Sequence, residues 1–448
     1  MTTYWLERSW TGEGPVRSGV RVTVEDGVFT EVVDGEPDGA ERLTGLTIPG
    51  LANCHSHAFH RALRGRTQRE RGTFWTWREQ MYAVAERLSP ETYFELARAT
   101  YREMVAGGIT SVGEFHYLHH GPDGTPYDDP NAMGHALVEA AREAGIRIAL
   151  LDTCYLTAGI GRGPEGVQVR FGDGTADGWA ERQSRRPVTY SAVSPAGRAG
   201  SDGSTVVHGA AIHSVRAVPR DEIPVVARWA EQHSAPLHVH LSEQVAENAA
   251  CREAYAATPT TVLAEAGALG PRTSAVHATH LIDEDIRLLG HSLTRACFCP
   301  TTERDLGDGI GPSRRLLDAG SPLTLGSDSH AVVDLFEEMR AVELDERLAT
   351  QRRGHWSAEE LLVAATGDGH ASLGFERAGR IEVGARADLV VLDTTSVRTA
   401  GTGADTGTAV FAASAADVVR VIRDGVDVTV DPREVGAELD RVVGRILS

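Results

Sequence analysis

Three histidines lie within six positions of the segment PGLANCHSHAFHRALRG, which spans residues 49–65. His55 and His57 follow an apolar run and are separated by one residue, so both side chains point to the same face if the run is a β-strand. Two imidazoles on one face of a strand can bind one metal ion. The segment therefore predicts part of a metal site, with His60 three residues beyond it.

Polar residues of the same kinds follow other apolar runs, at the point where each run ends. They are Glu114, His116 and Tyr117 after the second run, His213 and Arg216 after the fourth, His238, His240 and Glu243 after the fifth, His277 and His280 after the sixth, and Asp328, Ser329 and His330 after the eighth. A single histidine at the end of a strand usually has a structural role. Histidines at the ends of several successive strands favour a metal centre instead.

Three histidines and one aspartate around an ion are typical of a catalytic Zn²⁺ site that keeps one position open for water. The ion lowers the pKa of that water towards neutrality and so supplies hydroxide. Glu243 lies three residues after His240, where its carboxylate can carry protons, and His277 can stabilise a developing oxyanion. The pattern thus predicts metal-assisted hydrolysis.

The segments that must position these residues alternate between short apolar runs and amphipathic stretches over residues 49–375. The runs are LTIPGLANCHSH, GITSVGEFHY, RIALLDTCYL, VHGAAIHSV, APLHVHLSE, TSAVHATHL, RACFCPTTE and PLTLGSDSH. Amphipathic stretches lie between several of them; one example, PETYFELARATYREMVAGG, begins with a good helix start at Ser89 and Pro90. Eight apolar strands with helices between them predict an α/β fold, the parallel (β/α)₈ TIM barrel, whose strands end at one shared mouth.

Both ends of the chain show the alternation of strands. Residues 1–48 contain VRVTVEDGVFTEVV, and residues 376–448 contain GRIEVGARADLVVLD and ADVVRVIRDGVDV. We therefore expect a β-rich segment over 1–48, the barrel over 49–375, and a second β-rich segment with a terminal helix over 376–448. Residues 157–204 are rich in Gly and Arg and are expected to form a long, partly helical excursion after the third barrel strand.

The composition argues against several classes of function. The 448 residues carry a formal net charge of −19, which argues against a nucleic-acid partner. No run reaches the roughly 18 apolar residues of a membrane span, and MTTYWLERSW resembles neither a signal peptide nor a transit peptide. The five scattered cysteines do not form a disulfide framework, so we expect a protein of the reducing cytoplasm.

All 44 basic residues are arginine, and the sequence contains no lysine. The chain can therefore form no Schiff base through lysine and no phosphate-binding loop of the Walker type, which needs a lysine. It also has no lysine that could be carbamylated to bridge two metal ions. These three classes of site are excluded.

The motifs HSH, HVHLSEQ, VHATH and GSDSH on the first, fifth, sixth and eighth strands resemble those of the amidohydrolase superfamily over nearly the whole chain. The resemblance implies a small flanking β-sandwich built from both chain ends, a homodimer, and one divalent metal ion, with Zn²⁺ favoured and Fe²⁺ as the alternative. The implied metal ligands are His55, His57, His240 and Asp328, and the implied catalytic residues are Glu243, His277 and Asp328. The absence of lysine agrees with the mononuclear members of the superfamily.

Further motifs are similar to those of the formimidoylglutamate deiminase family within this superfamily: SHAFHRAL, FWTWREQMY, GEFHYLHH, HSVRAV and TERDLGDGI. The implied reaction is hydrolysis of N-formimino-L-glutamate, a small dicarboxylate, to N-formyl-L-glutamate and ammonia in histidine degradation. The implied substrate contacts are His60, Arg78, Tyr117, His213 and Arg216. Arg78 and Arg216 suit this substrate, because a guanidinium grips a carboxylate through two parallel hydrogen bonds. The family pattern often has Gln at the position of His60, so contacts to the formimino group should differ here.

Two alternatives remain open from the sequence. A deaminase of a heterocyclic amidine such as a purine, pyrimidine or triazine would use the same fold and metal, but its pocket would need aromatic and amide contacts rather than two arginines. A catalytically inactive barrel that serves as an assembly protein would usually have lost ligands, whereas all four predicted ligands are present. The sequence therefore favours a hydrolase of a linear amidine.

Overall fold

Two β-sheets organise the chain. The structure is a computed structural model that describes residues 1–68, 74–186 and 205–448. Its strands are, in chain order, β1 (Thr2–Ser9), β2 (Arg17–Glu25), β3 (Val28–Asp34), β4 (Glu41–Pro49), β5 (Leu51–Ser56), β6 (Ile109–His116), β7 (Arg147–Cys154), β8 (Val206–Ile212), β9 (Leu237–Leu241), β10 (Thr273–His277), β11 (Arg295–Phe298), β12 (Leu323–Leu325), β13 (Leu389–Leu392), β14 (Val418–Arg423) and β15 (Val426–Asp427). Strands β5 to β12 form one sheet, and the remaining strands form the other.

The first sheet is a barrel of parallel strands that follow one another in chain order from β5 to β12. It closes just after β12, where the backbone N–H groups of Ser327 and Asp328 donate to the carbonyl oxygen of His55 at 3.1 and 2.9 Å. Buried apolar residues of these strands and of the surrounding helices form a large continuous core. The predicted (β/α)₈ barrel is therefore confirmed.

Helices lie between the barrel strands and after them. Those within the described residues are α1 (Phe74–Glu86), α2 (Pro90–Ala106), α3 (Ala132–Ala144), α4 (Ala176–Ser184), α5 (Ile223–Gln232), α6 (Val245–Tyr255), α7 (Pro259–Glu265), α8 (Asp283–His291), α9 (Pro300–Leu306), α10 (Ser313–Ala319), α11 (Leu335–Thr350), α12 (Ala358–Ala365), α13 (Gly367–Ser372), α14 (Thr406–Phe411) and α15 (Pro432–Leu447), with 3₁₀ turns at Ala58–Leu63, Gly166–Arg170 and Ala415–Asp417. In this part of the chain, none of the helices combines the length and the apolar character that crossing a bilayer requires.

Local sequence signals set the ends of the predicted helices. Helix α2 begins after Ser89, whose hydroxyl accepts the N–H of Thr92 at 3.3 Å, while the Thr92 hydroxyl accepts the N–H of Ser89 at 2.8 Å. This reciprocal pair is a capping box, which satisfies two backbone donors at the start of the helix. Helix α3 ends at Gly145, whose φ of +79° is a left-handed conformation that favours glycine.

The run LTIPGLANCHSH, predicted as the first barrel strand, is shared between two strands. Its first residues end β4 of the second sheet, and its last residues form β5 of the barrel, with only Gly50 between them. A β-carbon at Gly50 would lie 2.3 Å from Oγ1 of Thr110. The close approach of β6 therefore requires glycine where the chain passes from one sheet to the other.

The second sheet joins both ends of the chain in the order β15-β14-β13-β4-β1-β2-β3. Strands β1 and β4 pair in parallel, and the other neighbours pair antiparallel. The sheet has its own apolar cluster, which includes Tyr4, Val22, Phe29 and Leu389. The predicted flanking β domain is thus confirmed, as one mixed hydrogen-bonded sheet, while the domain limits at residues 48 and 375 stay a prediction.

The excursion after β7 is described in part. Residues 157–186 contain one 3₁₀ turn and helix α4, and residues 187–204 of the predicted excursion lie outside the described residues. Arg182 of α4 binds Asp152 of β7 through Nη2 at 2.8 Å and Asp173 through Nε at 2.9 Å. All three side chains are buried, so this charged group anchors the excursion to the barrel.

A buried arginine joins the barrel to the second sheet. Arg147, the first residue of β7, is fully buried and binds Asp388, just before β13, through both Nη atoms. Its Nη1 also donates to Oδ1 of Asp424, in the turn after β14, at 2.8 Å, and its Nε donates to the hydroxyl of Ser111 at 3.1 Å. One guanidinium therefore bridges two carboxylates at the junction of the two sheets, and Arg386 contributes a second positive charge beside Asp424.

We expect Arg147→Met to lower the free energy of unfolding by about 3–5 kcal/mol, because the substitution leaves the buried Asp388 carboxylate without its cation. Urea unfolding followed by circular dichroism measures the shift. The control Arg142→Met removes an exposed arginine that pairs with Glu139 on α3, and should change the free energy by about 1 kcal/mol or less. Equal unfolding midpoints for the two variants would contradict the role of Arg147.

Candidate active site

The predicted metal ligands lie at the carboxyl ends of the barrel strands. His55 and His57 stand at the end of β5, His240 lies in β9, and Asp328 follows β12. All four are buried, with exposed fractions between 0 and 7 %. The closed barrel thus brings together side chains that are far apart in the sequence.

The ring nitrogens and the carboxylate of these residues converge on one point. Nε2 of His55 lies 3.1 Å from Nε2 of His240 and 3.2 Å from Oδ1 of Asp328. The same Asp328 oxygen lies 3.2 Å from Nε2 of His57. His55, His240, His277 and Asp328 therefore lie within the dimensions of a single ion site, and His57 joins them through the shared oxygen of Asp328.

The outer ring nitrogens fix which atoms face this point. Nδ1 of His57 donates to the carbonyl oxygen of Phe115, and Nδ1 of His240 donates to that of His213, both at 2.9 Å. Because a carbonyl oxygen only accepts, Nδ1 of each ring carries the hydrogen of this bond, and Nε2 is the ring nitrogen that faces the centre. Burial lowers the pKa of His55 to about 4 and that of His240 well below its usual value, so these rings are neutral. Opposed lone pairs beside a carboxylate fit a divalent cation such as Zn²⁺.

Asp328 is held as a carboxylate in a strained loop. Burial opposes its ionisation, but the imidazoles of His55 and His57 hold its pKa well below the usual range. The backbone of Asp328 has a φ of +40°, and that of His277 has a φ of +68°. Left-handed conformations of non-glycine residues are strained and are common at functional sites.

His277 faces the same point from the end of β10. Its Nε2 lies 3.8 Å from Oδ2 of Asp328, and its Nδ1 donates to Oε1 of Glu303 at 3.3 Å. Burial alone would lower the pKa of His277, but the hydrogen bond to Glu303 and the carboxylates of Glu243 and Asp328 raise it to about 10. His277 is therefore a charged hydrogen-bond donor next to the converging ligands.

Two buried glutamates that support the site received no role from the sequence. Glu303, in α9, also accepts the N–H of Cys299 at 2.9 Å, which fixes its carboxylate. Glu114, in β6, accepts 2.7 Å hydrogen bonds from the backbone of Ala58 and the hydroxyl of Ser56, and burial raises its pKa to about 7. Both residues lie at or just after strand ends and within the motifs GEFHYLHH and TERDLGDGI, but this placement assigns neither of them a role.

A cavity of about 470 Å³ opens onto the converging ligands, a size typical of small-molecule sites. Ten of the predicted site residues line it: His57, His60, Arg78, Tyr117, His213, Arg216, His240, Glu243, His277 and Asp328. The remaining predicted ligand, His55, is fully buried. Residues 157–160, Arg162 and Phe171 line another part of the cavity. The described part of the excursion therefore forms a wall of the site.

His60 and Tyr117 form a hydrogen-bonded pair in the cavity wall. Nε2 of His60 lies 3.0 Å from the hydroxyl of Tyr117, and Nδ1 of His60 has no hydrogen-bond partner among the described residues. Burial lowers the pKa of His60 well below its usual value and raises that of Tyr117 well above it, so both are neutral. His60 therefore has one ring nitrogen that is buried and unpaired among the described residues.

His213 lies between the predicted metal ligand His240 and the part of the cavity wall that contains Tyr155. Its carbonyl oxygen orients His240, and the two rings lie 5.0 Å apart. Its own ring packs 4.5 Å from that of Tyr155, and its Nδ1 lies 3.2 Å from the hydroxyl of Ser214. Burial lowers the pKa of His213 well below its usual value, so a neutral imidazole faces the cavity.

The two predicted carboxylate-binding arginines have different surroundings. The guanidinium of Arg78, on α1, stacks over the ring of Tyr82, 5.6 Å from its centroid. Arg216, after β8, donates from Nη2 to Oε2 of Glu243 at 3.2 Å, and its Nε lies 3.8 Å from Oε2 of Glu247. The sequence predicts Arg216 only as a substrate contact; the structure adds a bond to Glu243, because the loops after β8 and β9 meet at the barrel mouth.

Other histidines that follow the apolar runs lie away from the converging ligands. His238 is fully buried in β9, and neither of its ring nitrogens has a partner among the described residues. Of the two histidines of the H-x-H pair in β9, only His240 lies with His55, His277 and Asp328. His116 and His119 form a separate group with Asp152. Because Arg182 already binds both oxygens of this carboxylate, the group is a structural network.

Comparison with known proteins agrees with this architecture. The model of the amidohydrolase family matches residues 46–428. The formimidoylglutamate deiminase of Pseudomonas aeruginosa is 37 % identical over 407 residues, which cover 88 % of this chain and 86 % of that protein. The 5′-deoxyadenosine deaminase of Methanosarcina acetivorans is 26 % identical over 388 residues, which cover 85 % and 81 %. The crystal structure of an amidohydrolase from Brucella melitensis superposes over all of both chains with a TM-score of 0.87 and 28 % identity.

The family match covers the whole barrel and, of the second sheet, the end of β4 and strands β13 to β15, so it agrees with the barrel fold as well as with the motifs. The resemblance inferred from HSH, HVHLSEQ, VHATH and GSDSH is thereby confirmed. The roles of the individual site residues stay predictions. From its fold, its motifs and its relatives, the chain belongs to the amidohydrolase family and is a hydrolase that acts on carbon–nitrogen bonds.

Proposed function

We propose that this protein hydrolyses N-formimino-L-glutamate to N-formyl-L-glutamate and ammonia, a step of histidine degradation. The observation that carries the proposal is that Arg78 and Arg216 line the same cavity as the cluster of His and Asp ligands. A linear amidine with two carboxylates needs both features. The relative from Pseudomonas aeruginosa, named a formimidoylglutamate deiminase, supports the same substrate.

The proposed cofactor is one divalent metal ion, with Zn²⁺ favoured and Fe²⁺ as the alternative. His55, His57, His240 and Asp328 would hold it, because their lone pairs and carboxylate oppose one another at about 3 Å. When bound, the ion supplies Lewis-acid chemistry that activates water for attack.

The proposed proton transfers use residues that face the cavity. Glu243, or Asp328 in its place, accepts a proton from the attacking water as the water oxygen bonds to the formimino carbon. Glu243 then gives this proton to the terminal nitrogen. As the carbonyl group forms, the second proton of the former water passes from the oxygen through the same carboxylate to this nitrogen, the carbon–nitrogen bond breaks, and ammonia leaves. His277, which is positively charged, donates to the oxygen on which negative charge develops.

The proposed substrate contacts place the carboxylates and the formimino group of the substrate in different parts of the cavity. Arg78 and Arg216 bind the carboxylates, since each guanidinium offers a planar pair of donors. His60, with its free ring nitrogen, contacts the formimino group. Tyr117 and His213 add neutral polar groups to the wall between them.

A deaminase of a heterocyclic amidine is the second candidate. The aromatic side chains of Trp77, Tyr82, Tyr155 and Phe171 line the cavity, and the relatives include a 5′-deoxyadenosine deaminase. Ammonia release from N-formimino-L-glutamate, N-formimino-L-aspartate, guanine, cytosine and 5′-deoxyadenosine, measured side by side, decides between the candidates. Release from the glutamate compound alone would support the proposal, and release only from a heterocycle would overturn it.

The oligomeric state, the location and the partners of the enzyme are also proposals. We propose a homodimer in the cytoplasm, without a nucleic-acid or membrane partner. The net charge of −19 supports the absence of a nucleic-acid partner. The five cysteines are buried and free, which suits a reducing compartment. Light scattering of the purified protein measures the number of subunits.

We expect about one Zn²⁺ or Fe²⁺ per chain by elemental analysis, and His240→Gln should lose most of it because one converging lone pair is removed. The matched control is His238→Gln, two residues earlier on the same strand, which should keep the metal. Circular dichroism verifies that both variants fold. Equal metal contents would show that the converging nitrogens do not form the site.

We expect Glu243→Gln to keep its metal but to lose about 10²–10⁴-fold in kcat, because an amide cannot accept and return a proton. Ammonia release under saturating substrate measures kcat. Glu253→Gln, at an exposed position of helix α6, which begins two residues after Glu243, is the control and should retain full activity. A Glu243→Gln rate near that of the control would exclude the shuttle role.

Arg78→Met separates the two candidate substrates better than a change at Arg216, because Arg216 is also bonded to Glu243. We expect kcat/KM for N-formimino-L-glutamate to fall by about 10–100-fold, the value of one charge-assisted hydrogen-bond pair. Arg78→Lys should recover only part of the loss, since lysine lacks the planar fork. Unchanged kinetics in Arg78→Met would argue against carboxylate recognition at this position.

A further inference from the structure

One buried carboxylate in the cavity wall has no part in the proton transfers described above. Glu247 lies in the first turn of α6, lines the cavity, and has a fully buried side chain. Neither of its oxygens accepts a well-formed hydrogen bond from the described residues. Burial raises its pKa to about 7, against the opposing effect of the Arg216 guanidinium. A carboxylate in such surroundings is costly unless a cation balances it.

Arg216 is the cation beside Glu247, and it lies between two acids. Its Nε is 3.8 Å from Oε2 of Glu247, and its Nη2 donates to Oε2 of Glu243 at 3.2 Å. Nε and Nη2 form one edge of the guanidinium, so the edge formed by Nη1 and Nη2 can bind a carboxylate in the cavity. The two glutamates therefore contact the Nε/Nη2 edge of the Arg216 guanidinium, while the Nη1/Nη2 edge can face a substrate.

We propose that Arg216 couples the recognition of a substrate carboxylate to the proton shuttle Glu243, and that Glu247 is the positioning residue that keeps Arg216 in place. This inference rests on the proposed function and deepens it. A substrate carboxylate that binds Arg216 competes with Glu243 for the same positive charge. Glu243 then loses part of its ion pair, which makes it a better proton acceptor.

The charges around Arg216 determine that binding of the substrate carboxylate favours proton transfer to Glu243. Arg216 already faces two carboxylates, and a third in the same cavity would add repulsion. Transfer of a proton from the attacking water to Glu243 removes one of these negative charges. Glu247 is fully buried at the start of α6, so it stays beside Arg216 while Glu243 turns to the substrate. A substrate without this carboxylate leaves Glu243 paired and is turned over slowly.

Two truncated substrates test the coupling. N-formimino-4-aminobutanoate lacks the α-carboxylate, and N-formimino-L-norvaline lacks the side-chain carboxylate. The analogue whose KM is insensitive to Arg216→Gln identifies the carboxylate that Arg216 binds. In the wild-type enzyme we expect that analogue to have a kcat about tenfold or more below that of N-formimino-L-glutamate, measured as ammonia release at saturation.

The same ratio of kcat values measured in Glu243→Gln separates coupling from general binding effects. If the carboxylate acts through Glu243, the ratio falls to about 1 in this variant, although both rates are low. An unchanged ratio would mean that the carboxylate only orients the substrate, and would overturn the coupling. Metal-loaded wild-type protein that releases no ammonia from N-formimino-L-glutamate would instead show that the proposed function itself is wrong.

Variants of Glu247 test its positioning role. We expect Glu247→Gln to raise KM for the full substrate at least tenfold and to leave KM for the truncated analogue unchanged, because only the first uses Arg216. Glu247→Asp keeps the charge and should restore part of the affinity, and Glu253→Gln on the same helix is the control. Equal changes of KM for both substrates, or no change for either, would overturn the role of Glu247.

Discussion

The structure depends on one electrostatic constraint: imidazole nitrogens crowd around one buried carboxylate, with Oδ1 of Asp328 3.2 Å from Nε2 of His55 and of His57, and with Nε2 of His240 3.1 Å from that of His55. A shared proton or a bound cation at this point stabilises such an arrangement. The carbonyl oxygens of Phe115 and His213 hold two of the rings so that their lone pairs cannot turn away. The barrel supplies this constraint because parallel strands place all their carboxyl ends at one mouth.

The same end of the barrel concentrates groups whose charges are set by their neighbours. His277 is charged because carboxylates surround it, whereas His55 and His240 are neutral because burial outweighs everything else. Arg216 and Glu243 form a second polar layer above the ligands. Carboxylates, imidazoles and guanidinium groups therefore share one cavity without neutralising one another completely, which is the condition that the proposed coupling of proton transfer to recognition requires.

The barrel and most of the residues that line the site could be predicted because both depend on short-range patterns. Apolar runs of strand length predict the barrel, and polar residues at their ends predict its mouth. The pairing of Arg216 with Glu243 and the bond from His277 to Glu303 depend on distances between separate loops, which spacing does not encode. The division of LTIPGLANCHSH into two strands at Gly50 could not be predicted for a similar reason, because both halves are equally apolar and only tertiary contacts separate them.

The passage from β4 to β5 through Gly50 makes the second sheet a mechanical support of the metal ligands. Pro49 pairs with Leu389 in that sheet, and His55 follows only six residues later in the barrel. The close packing of Thr110 against Gly50 leaves this connection little room to move. Any displacement of the outer sheet is therefore transmitted directly to the strand that carries two of the ligands. The barrel alone would lose the anchor of β5, so the second sheet is part of the framework that holds His55 and His57 in place.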